Sequence, residues 1–334
     1  MSIVAGVMVL NLLGGAPDER RPCHRRHLQW EPSASAQARP GDTPRRNPSR
    51  IRRAKDTCNK TGPALMMGGH HAMSGAAAWI AVTATAGHGL GLFPVTPVGT
   101  IAGALLCAGA ALLADADHGS ATIAQSVPVL GKLVTSGISR ASGGHRHGLH
   151  SLLALLCAWL LATGFGHIVW QPEWWHEPVS FGPAVLTAAA VAFAVKALGF
   201  SDGPWPVAWL IGLGVAAFIA LYAPEQQAWF VVCFTLGYGI HLVGDFLTTG
   251  GLPLLWPWVP KPPRWWRKVP LFSSLWSRGG YLALPVLGNA GSRREWFLLV
   301  PVTVYVVYGI LFAVLAMAGV DLGAFIDTEF ADFL

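Results

Sequence analysis

The histidines and aspartates of the chain gather in four short clusters, each at one end of an apolar stretch. The clusters occupy residues 70–71, 115–118, 145–150 and 241–245. His241 and Asp245 are four residues apart, so both can project from one face of a helix. Asp115 and His118, three residues apart, can do the same. Imidazole and carboxylate suit Zn²⁺ and, with more oxygen ligands, Mn²⁺ or Mg²⁺, so the clusters predict a divalent metal site.

The elements that position these clusters are predicted to be transmembrane helices. Of the 334 residues, 53% are hydrophobic and 12% are charged, whereas a soluble domain carries about 25% charged residues. This composition excludes a soluble enzyme and a disordered or fibrous protein for the body of the chain. A bilayer-crossing helix needs about 20 mostly apolar residues. Candidate spans are 73–92, 94–114, 149–169, 183–200, 205–222, 228–249 and 297–320.

The boundary between the first two candidates is only Phe93-Pro94, so the prediction is an all-α polytopic transmembrane helix bundle with about six or seven spans. The connecting segments 115–148 and 250–296 are basic, whereas 170–182, 223–227 and the C-terminal end are acidic. Because Lys and Arg concentrate in cytoplasmic loops, seven spans with a cytoplasmic N-terminus satisfy this pattern. That orientation brings all four clusters to the cytoplasmic membrane face.

Three regions are predicted beside the spans. Residues 1–65 carry twelve of the 23 basic residues against five acidic ones; they form a disordered basic tail or lie upstream of a true start at Met66 or Met67. Within the transmembrane domain, 66–322, the Trp- and Pro-rich segment 250–296 is predicted to lie against the inner leaflet. Residues 323–334 form an acidic end.

The positive charge lies in the tail, so no nucleic-acid partner is expected, although a tail that binds anionic lipid or nucleic acid is an alternative. The expected partner is the lipid bilayer, and the oligomeric state is left open by the sequence.

Taken in order, the four clusters resemble the YdjM-like family of bacterial membrane-bound metal-dependent hydrolases. The resemblance covers roughly residues 67–260 and rests on His71, Asp115-Ala116-Asp117-His118, His145-Arg146 with His150-Ser151, and His241 with Asp245, followed by Leu247-Thr248 and 251–257. The chain departs from the family pattern at His147, where the family has Gly, and at Leu149, where it has Thr. His147 is a candidate to replace or supplement a ligand.

The resemblance implies metal-assisted hydrolysis at the bacterial inner membrane. We predict one or two divalent cations, with Zn²⁺ first and Mn²⁺ or Mg²⁺ as alternatives, and no other cofactor. The predicted ligands are His71, Asp115, His118, His145, His150, His241 and Asp245.

Two catalytic side chains are predicted beside these ligands. Asp117 is the candidate general base, with an orienting role behind a ligand as its alternative. Arg146 is the candidate for stabilising negative charge on a phosphoryl or acyl oxygen, with a plain positive-inside anchor as its alternative. A site at headgroup level suits an ester or phosphoester of a lipid-linked substrate.

Two other classes of protein remain open from the sequence. One is a cation- or proton-coupled transporter, which places ionisable residues near the bilayer midplane, often between internal repeats. The clusters of this chain lie instead at span ends, and no repeat is visible. The other is a non-catalytic membrane scaffold that uses the tail or the Trp-rich segment to bind a partner.

Overall fold

The computed structural model describes residues 64–85, 89–118, 121–127, 130–143, 147–174, 176–201, 203–223 and 226–320. The predicted basic tail, up to residue 63, and the acidic end at 323–334 lie outside the described residues.

The described residues fold as an all-α protein. Its helices are α1 Ala64–Thr83, α2 Pro97–Ala110, α3 Thr122–Ser126, α4 Leu130–Ser142, α5 Leu152–Gly166, α6 Phe181–Ala197, α7 Trp205–Tyr222, α8 Gln226–Phe246, α9 Pro270–Leu275 and α10 Arg293–Met317. Short 3₁₀ helices lie at Leu113–Asp117, Gly148–His150 and Trp266–Lys268.

Each of the seven predicted spans overlaps one helix. We call these seven the long helices, and they are α1, α2, α5, α6, α7, α8 and α10. Within the described residues, four segments are long and apolar enough to cross a membrane, judged by length and composition: Pro97–Asp117, Trp205–Tyr222, Ala228–Phe246 and Arg293–Met317. The helices α5 and α6 are apolar but shorter. The all-α membrane fold is therefore confirmed, whereas the number of crossings stays a prediction.

The first helix lies nearer the N-terminus than predicted. The sequence places a span at 73–92, but α1 ends at Thr83. After it the chain folds back, and the Leu90 and Phe93 N–H groups donate to carbonyls of the last turn of α1. Gly91, with a φ of 58°, supports this reversal, because glycine alone adopts such a backbone freely. The early histidines consequently lie within α1 rather than at its start.

The basic segment 115–148, predicted only as a loop, contains two further helices. The longer one, α4, exposes Leu133 and Val134 beside Lys132 and Arg140. Exposed apolar side chains with nearby basic residues are typical of a helix that lies in the membrane interface.

Helix α8 is central in the packing and contacts α1, α2 and α5. Glycines let the backbones meet: a Cβ at Gly237 of α8 would lie 2.4 Å from the Cys107 carbonyl oxygen of α2. A Cβ at Gly75 of α1 would lie 2.7 Å from the same oxygen. Small residues at helix contacts allow such close approach, so α1 and α8 both lie directly against α2.

Candidate metal centre

Five predicted ligands, from four separate parts of the chain, converge at one end of the helix bundle. They are His71 of α1, Asp115 of the 3₁₀ turn after α2, His150 of the 3₁₀ turn before α5, and His241 and Asp245 of α8. Their ligand atoms form two groups that share His241, and within each group all atoms lie within 4.8 Å of one another. One group adds His71 and Asp245 to His241, and the other adds Asp115 and His150.

The separations between ligand atoms fit a cation held between them. The His150 Nε2 atom lies 3.5 Å from Asp115 Oδ1 and 3.5 Å from Asp245 Oδ2. The other oxygen, Asp245 Oδ1, lies 3.5 Å from His71 Nε2. His241 Nε2 lies 3.8 Å from Asp115 Oδ1. Two ligands about 2.1 Å from one zinc ion at a tetrahedral angle are about 3.4 Å apart, so these spacings suit shared coordination.

The hydrogen bond of Nδ1 decides which ring nitrogen of His241 carries the proton. Its Nδ1 lies 2.6 Å from the Ala111 carbonyl oxygen. Because a carbonyl only accepts, Nδ1 carries the proton, and Nε2 of the neutral ring presents its lone pair to the cluster. That Nε2 lies 3.3 Å from His150 Nε2. Two imidazole nitrogens approach in this way when a proton or a cation lies between them.

His150 is held by the turn in which it sits, and a carboxylate lies behind its ring. The Ser151 hydroxyl donates to the Gly148 carbonyl and accepts from the Ala154 N–H, which caps α5. On the far side of the imidazole, Asp117 Oδ2 lies 3.9 Å from His150 Nδ1. This separation is longer than a hydrogen bond, so the Asp117 carboxylate acts on the His150 imidazole through its charge.

His71 reaches the cluster by stacking on His241, with ring centroids 3.9 Å apart and planes 20° apart. The space for its ring comes from Gly244, where an added Cβ would lie 3.0 Å from two His71 ring atoms. The glycine one residue before Asp245 therefore allows α1 and α8 to supply ligands to the same point.

The cluster is buried except at one residue. His150, His241 and Asp245 are almost wholly inaccessible, and His71 is buried. The Asp115 side chain is 26% exposed, so the site opens on that side. Grouping carboxylates and imidazoles away from water is costly without a compensating charge, and a divalent cation supplies that charge. The residues present thus fit a bound metal ion.

The other predicted site residues have different positions. Asp117 and His118 belong to neither group of ligand atoms in the described part of the chain. His118 ends the 3₁₀ turn, and its N–H donates to the Asp115 carbonyl. His145 and Arg146 lie outside the described residues. His147 Nε2 lies 3.3 Å from the Tyr281 hydroxyl.

Several supporting contacts were not predicted. Of the two early histidines, His71 lies in the cluster, whereas His70 pairs with Glu295 of α10 and lies edge-on to the Trp296 ring. The Tyr238 hydroxyl donates to the Leu149 carbonyl in the turn that carries His150. The pattern Tyr-x-x-His on α8 was the available signal, since Tyr238 lies one turn before His241.

The model of the YdjM inner membrane protein family matches residues 66–199 and 204–316. The chain belongs to the YdjM inner membrane protein family. All five clustered residues fall inside the matched segments of this membrane protein. No curated protein and no solved structure gives a significant match to the chain.

Proposed function

We propose that this YdjM-family protein is a membrane-embedded, metal-dependent hydrolase that cleaves an ester or phosphoester of a lipid-like substrate. The observation that carries the proposal is the convergence of three imidazoles and two carboxylates on one point, with the His241 tautomer fixed by the Ala111 carbonyl. Histidine-rich sets with one or two carboxylates suit Zn²⁺ best among common divalent cations.

In this proposal the cation is held by the clustered residues, which are His71, Asp115, His150, His241 and Asp245. When bound, the cation activates water at neutral pH and polarises the scissile group. Whether one cation or two are held, His241 contributes to both groups of ligand atoms.

Three further roles are orientation of a ligand, acceptance of a proton and stabilisation of negative charge. Asp117 is fully buried and lies on the Nδ1 side of His150, away from the ring nitrogen that faces the cluster. This position favours an orienting role for Asp117 over the role of general base. Asp115 is the clustered carboxylate with access to solvent, so we assign to it the acceptance of the proton from the attacking water. Arg146 keeps its predicted role of stabilising negative charge.

The proposed topology has seven spans and a cytoplasmic N-terminus, which brings the site to headgroup level on the cytoplasmic side. Two observations support it. The seven long helices correspond to the seven apolar stretches, and the basic residues of the connecting segments follow the positive-inside rule. A site at this depth meets the ester and phosphate groups of lipids.

Metal analysis combined with hydrolysis assays tests the proposal. Purified full-length protein is expected to hold zinc and to hydrolyse members of a panel of phosphoesters and carboxylesters. His241→Ala should abolish both properties. His167→Ala, which removes an exposed histidine after α5, is the matched control and should retain them.

Each rival function has its own signature in the same preparation. Metal-dependent flux into liposomes without hydrolysis would favour a transporter. A protein that holds no metal and hydrolyses nothing would favour a scaffold.

A further inference from the structure

Helix α4 lies against both of the 3₁₀ turns that carry clustered residues. It contacts the turn after α2, which holds Asp115, and the turn before α5, which holds His150. The second contact is close, because a Cβ at Gly148 would lie 3.0 Å from the Cα atom of Ser142, the last residue of α4. The position of α4 is therefore coupled to the positions of two candidate ligands.

The side chains of α4 divide into three faces. At about 100° per residue, the buried residues share one face, and the exposed residues form two adjoining sectors of different chemistry. The buried face consists of Gly131, Thr135 and Ser142. The apolar exposed sector consists of Leu133, Val134, Gly137 and Ala141. The polar exposed sector consists of Lys132, Ser136 and Arg140.

The N-terminal end of α4 is joined to the bundle through α3. A Cβ at Gly131 would lie 2.8 Å from the Ala124 carbonyl oxygen of α3. The Ser126 carbonyl of α3 in turn accepts a hydrogen bond of 3.1 Å from the indole N–H of Trp209 in α7. Helix α4 is thus held to the protein at both ends, with its apolar and polar sectors facing outward.

The level of α4 in the bundle matches the ends of the membrane spans. The turn after α2 ends the candidate span Pro97–Asp117. The turn before α5 is followed by Leu152 and Leu153, which are exposed apolar residues, so the lipid-facing surface begins beside the turns that α4 contacts. In an inner membrane protein, an exposed apolar and basic face at this level meets the bilayer surface.

We infer that the exposed side of α4 docks on the surface of an anionic bilayer and that this docking stabilises the two turns that carry Asp115 and His150. Helix α4 contains two basic residues and no acidic one, which complements anionic lipid. Its apolar sector enters the boundary between headgroups and hydrocarbon, and Lys132 and Arg140 bind lipid phosphate groups. The docking goes beyond the proposed function, whereas its effect on the ligands rests on that function.

A pair of charge substitutions removes the attraction to anionic lipid. Lys132→Gln with Arg140→Gln deletes both positive charges, and glutamine forms helices about as readily as lysine and arginine. The matched control is Lys261→Gln with Arg278→Gln, which deletes two exposed basic residues outside α4. Those two residues belong to the segment predicted to lie against the same leaflet, so the control separates α4 from general attraction to the membrane.

Hydrogen–deuterium exchange with mass spectrometry measures the docking without hydrolysis or bound metal. The full-length chain is placed in nanodiscs of phosphatidylcholine alone or with an equal amount of phosphatidylglycerol. The amides of α4 and of both turns should exchange about fivefold or more slowly in the anionic nanodiscs. Lys132→Gln with Arg140→Gln should abolish this difference, whereas the control pair should keep it.

A second pair of substitutions tests the apolar sector. Leu133→Ser with Val134→Ser should speed the exchange of α4 in both kinds of nanodisc, because burial of an apolar face in the interface does not depend on lipid charge. Both side chains are exposed, so the bundle should stay folded, which unchanged exchange in α8 verifies.

Zinc affinity in the same nanodiscs, measured by competition with a chelator, tests the effect on the ligands. The wild type and the control pair should bind zinc several-fold more tightly in the anionic nanodiscs. Lys132→Gln with Arg140→Gln should bind zinc equally in both. A chain that binds no zinc in either would contradict the proposed function, while the exchange data still decide whether α4 docks.

Four results overturn the inference. Equal exchange of α4 in neutral and anionic nanodiscs would mean that its exposed side does not bind anionic lipid. A difference that persists in Lys132→Gln with Arg140→Gln would mean that phosphatidylglycerol acts elsewhere on the chain. Protection of α4 only in nanodiscs with two copies of the chain would mean that a second copy covers it. Slower exchange of α4 with unchanged turns would refute the effect on the ligands.

Discussion

Replacing Asp117 by Asn tests how the cluster is organised. The substitution keeps the shape of the side chain and removes its negative charge. Asp117 Oδ2 lies 3.9 Å from His150 Nδ1, and both side chains are fully buried. With an effective dielectric constant of about 20, two unit charges at that distance interact by about 4 kcal/mol. A metal-bound imidazole carries only part of a unit charge, so the effect on metal binding is smaller than this. We expect the free energy of metal binding to weaken by about 1.4–2.7 kcal/mol, which is a 10–100-fold loss of affinity.

The assay is competition between the protein and a chelator of known zinc affinity, with hydrolysis measured at saturating zinc. Asp117→Asn should weaken zinc binding by the amount above and regain most of its activity when zinc is saturating. Asp115→Asn, which changes a clustered residue, is expected to lose more affinity. Unchanged zinc affinity with activity lost even at saturating zinc would refute the orienting role and return Asp117 to the role of general base.

Two glycine substitutions test how the helices bring the ligands together. Gly237→Ala would place a Cβ 2.4 Å from the Cys107 carbonyl oxygen, so it should destabilise the fold by about 1–3 kcal/mol. The loss is measured as a lower midpoint of thermal unfolding in detergent. The control Gly164→Ala, where a Cβ meets nothing within 4 Å, should leave the midpoint unchanged. Gly244→Ala would press on the His71 ring at 3.0 Å and should weaken zinc binding about tenfold with little change in stability. An unaltered zinc affinity in Gly244→Ala would argue that His71 is not a ligand.

Much of the candidate site could be predicted because its residues are recognisable from their near neighbours in the sequence. His241 and Asp245 are one turn apart, and the sequence pattern alone puts them on one face of α8. Asp115 and His150 stand at the ends of apolar stretches, where an ionisable residue is conspicuous. Their meeting then requires only that α2 and α5 each pack against α8, as they do.

Other features depend on contacts that a single sequence does not encode locally. The pairing of His70 with Glu295 joins residues 225 positions apart, and the bond from Tyr238 to the Leu149 carbonyl joins residues 89 apart. The end of α1 lies earlier than hydropathy predicts because the apolar Leu90 and Leu92 continue the hydropathy of the helix, although the backbone there turns back.

The amphipathic helix α4 was missed for a related reason. The basic residues of its segment indicate a cytoplasmic loop, and the apolar Leu133 and Val134 between them are too few to indicate a span. Helical periodicity over 130–142 was the signal that distinguishes an interfacial helix from a loop.

The central claim, that the five clustered residues hold a divalent metal, is tested most directly by X-ray absorption at the zinc edge of the purified full-length chain. We predict stoichiometric zinc with nitrogen and oxygen ligands at about 2.0–2.2 Å and a clear imidazole contribution, lost in His241→Ala and kept in His167→Ala. A chain without bound metal after zinc loading, or zinc coordinated by sulfur at about 2.3 Å, would contradict the claim.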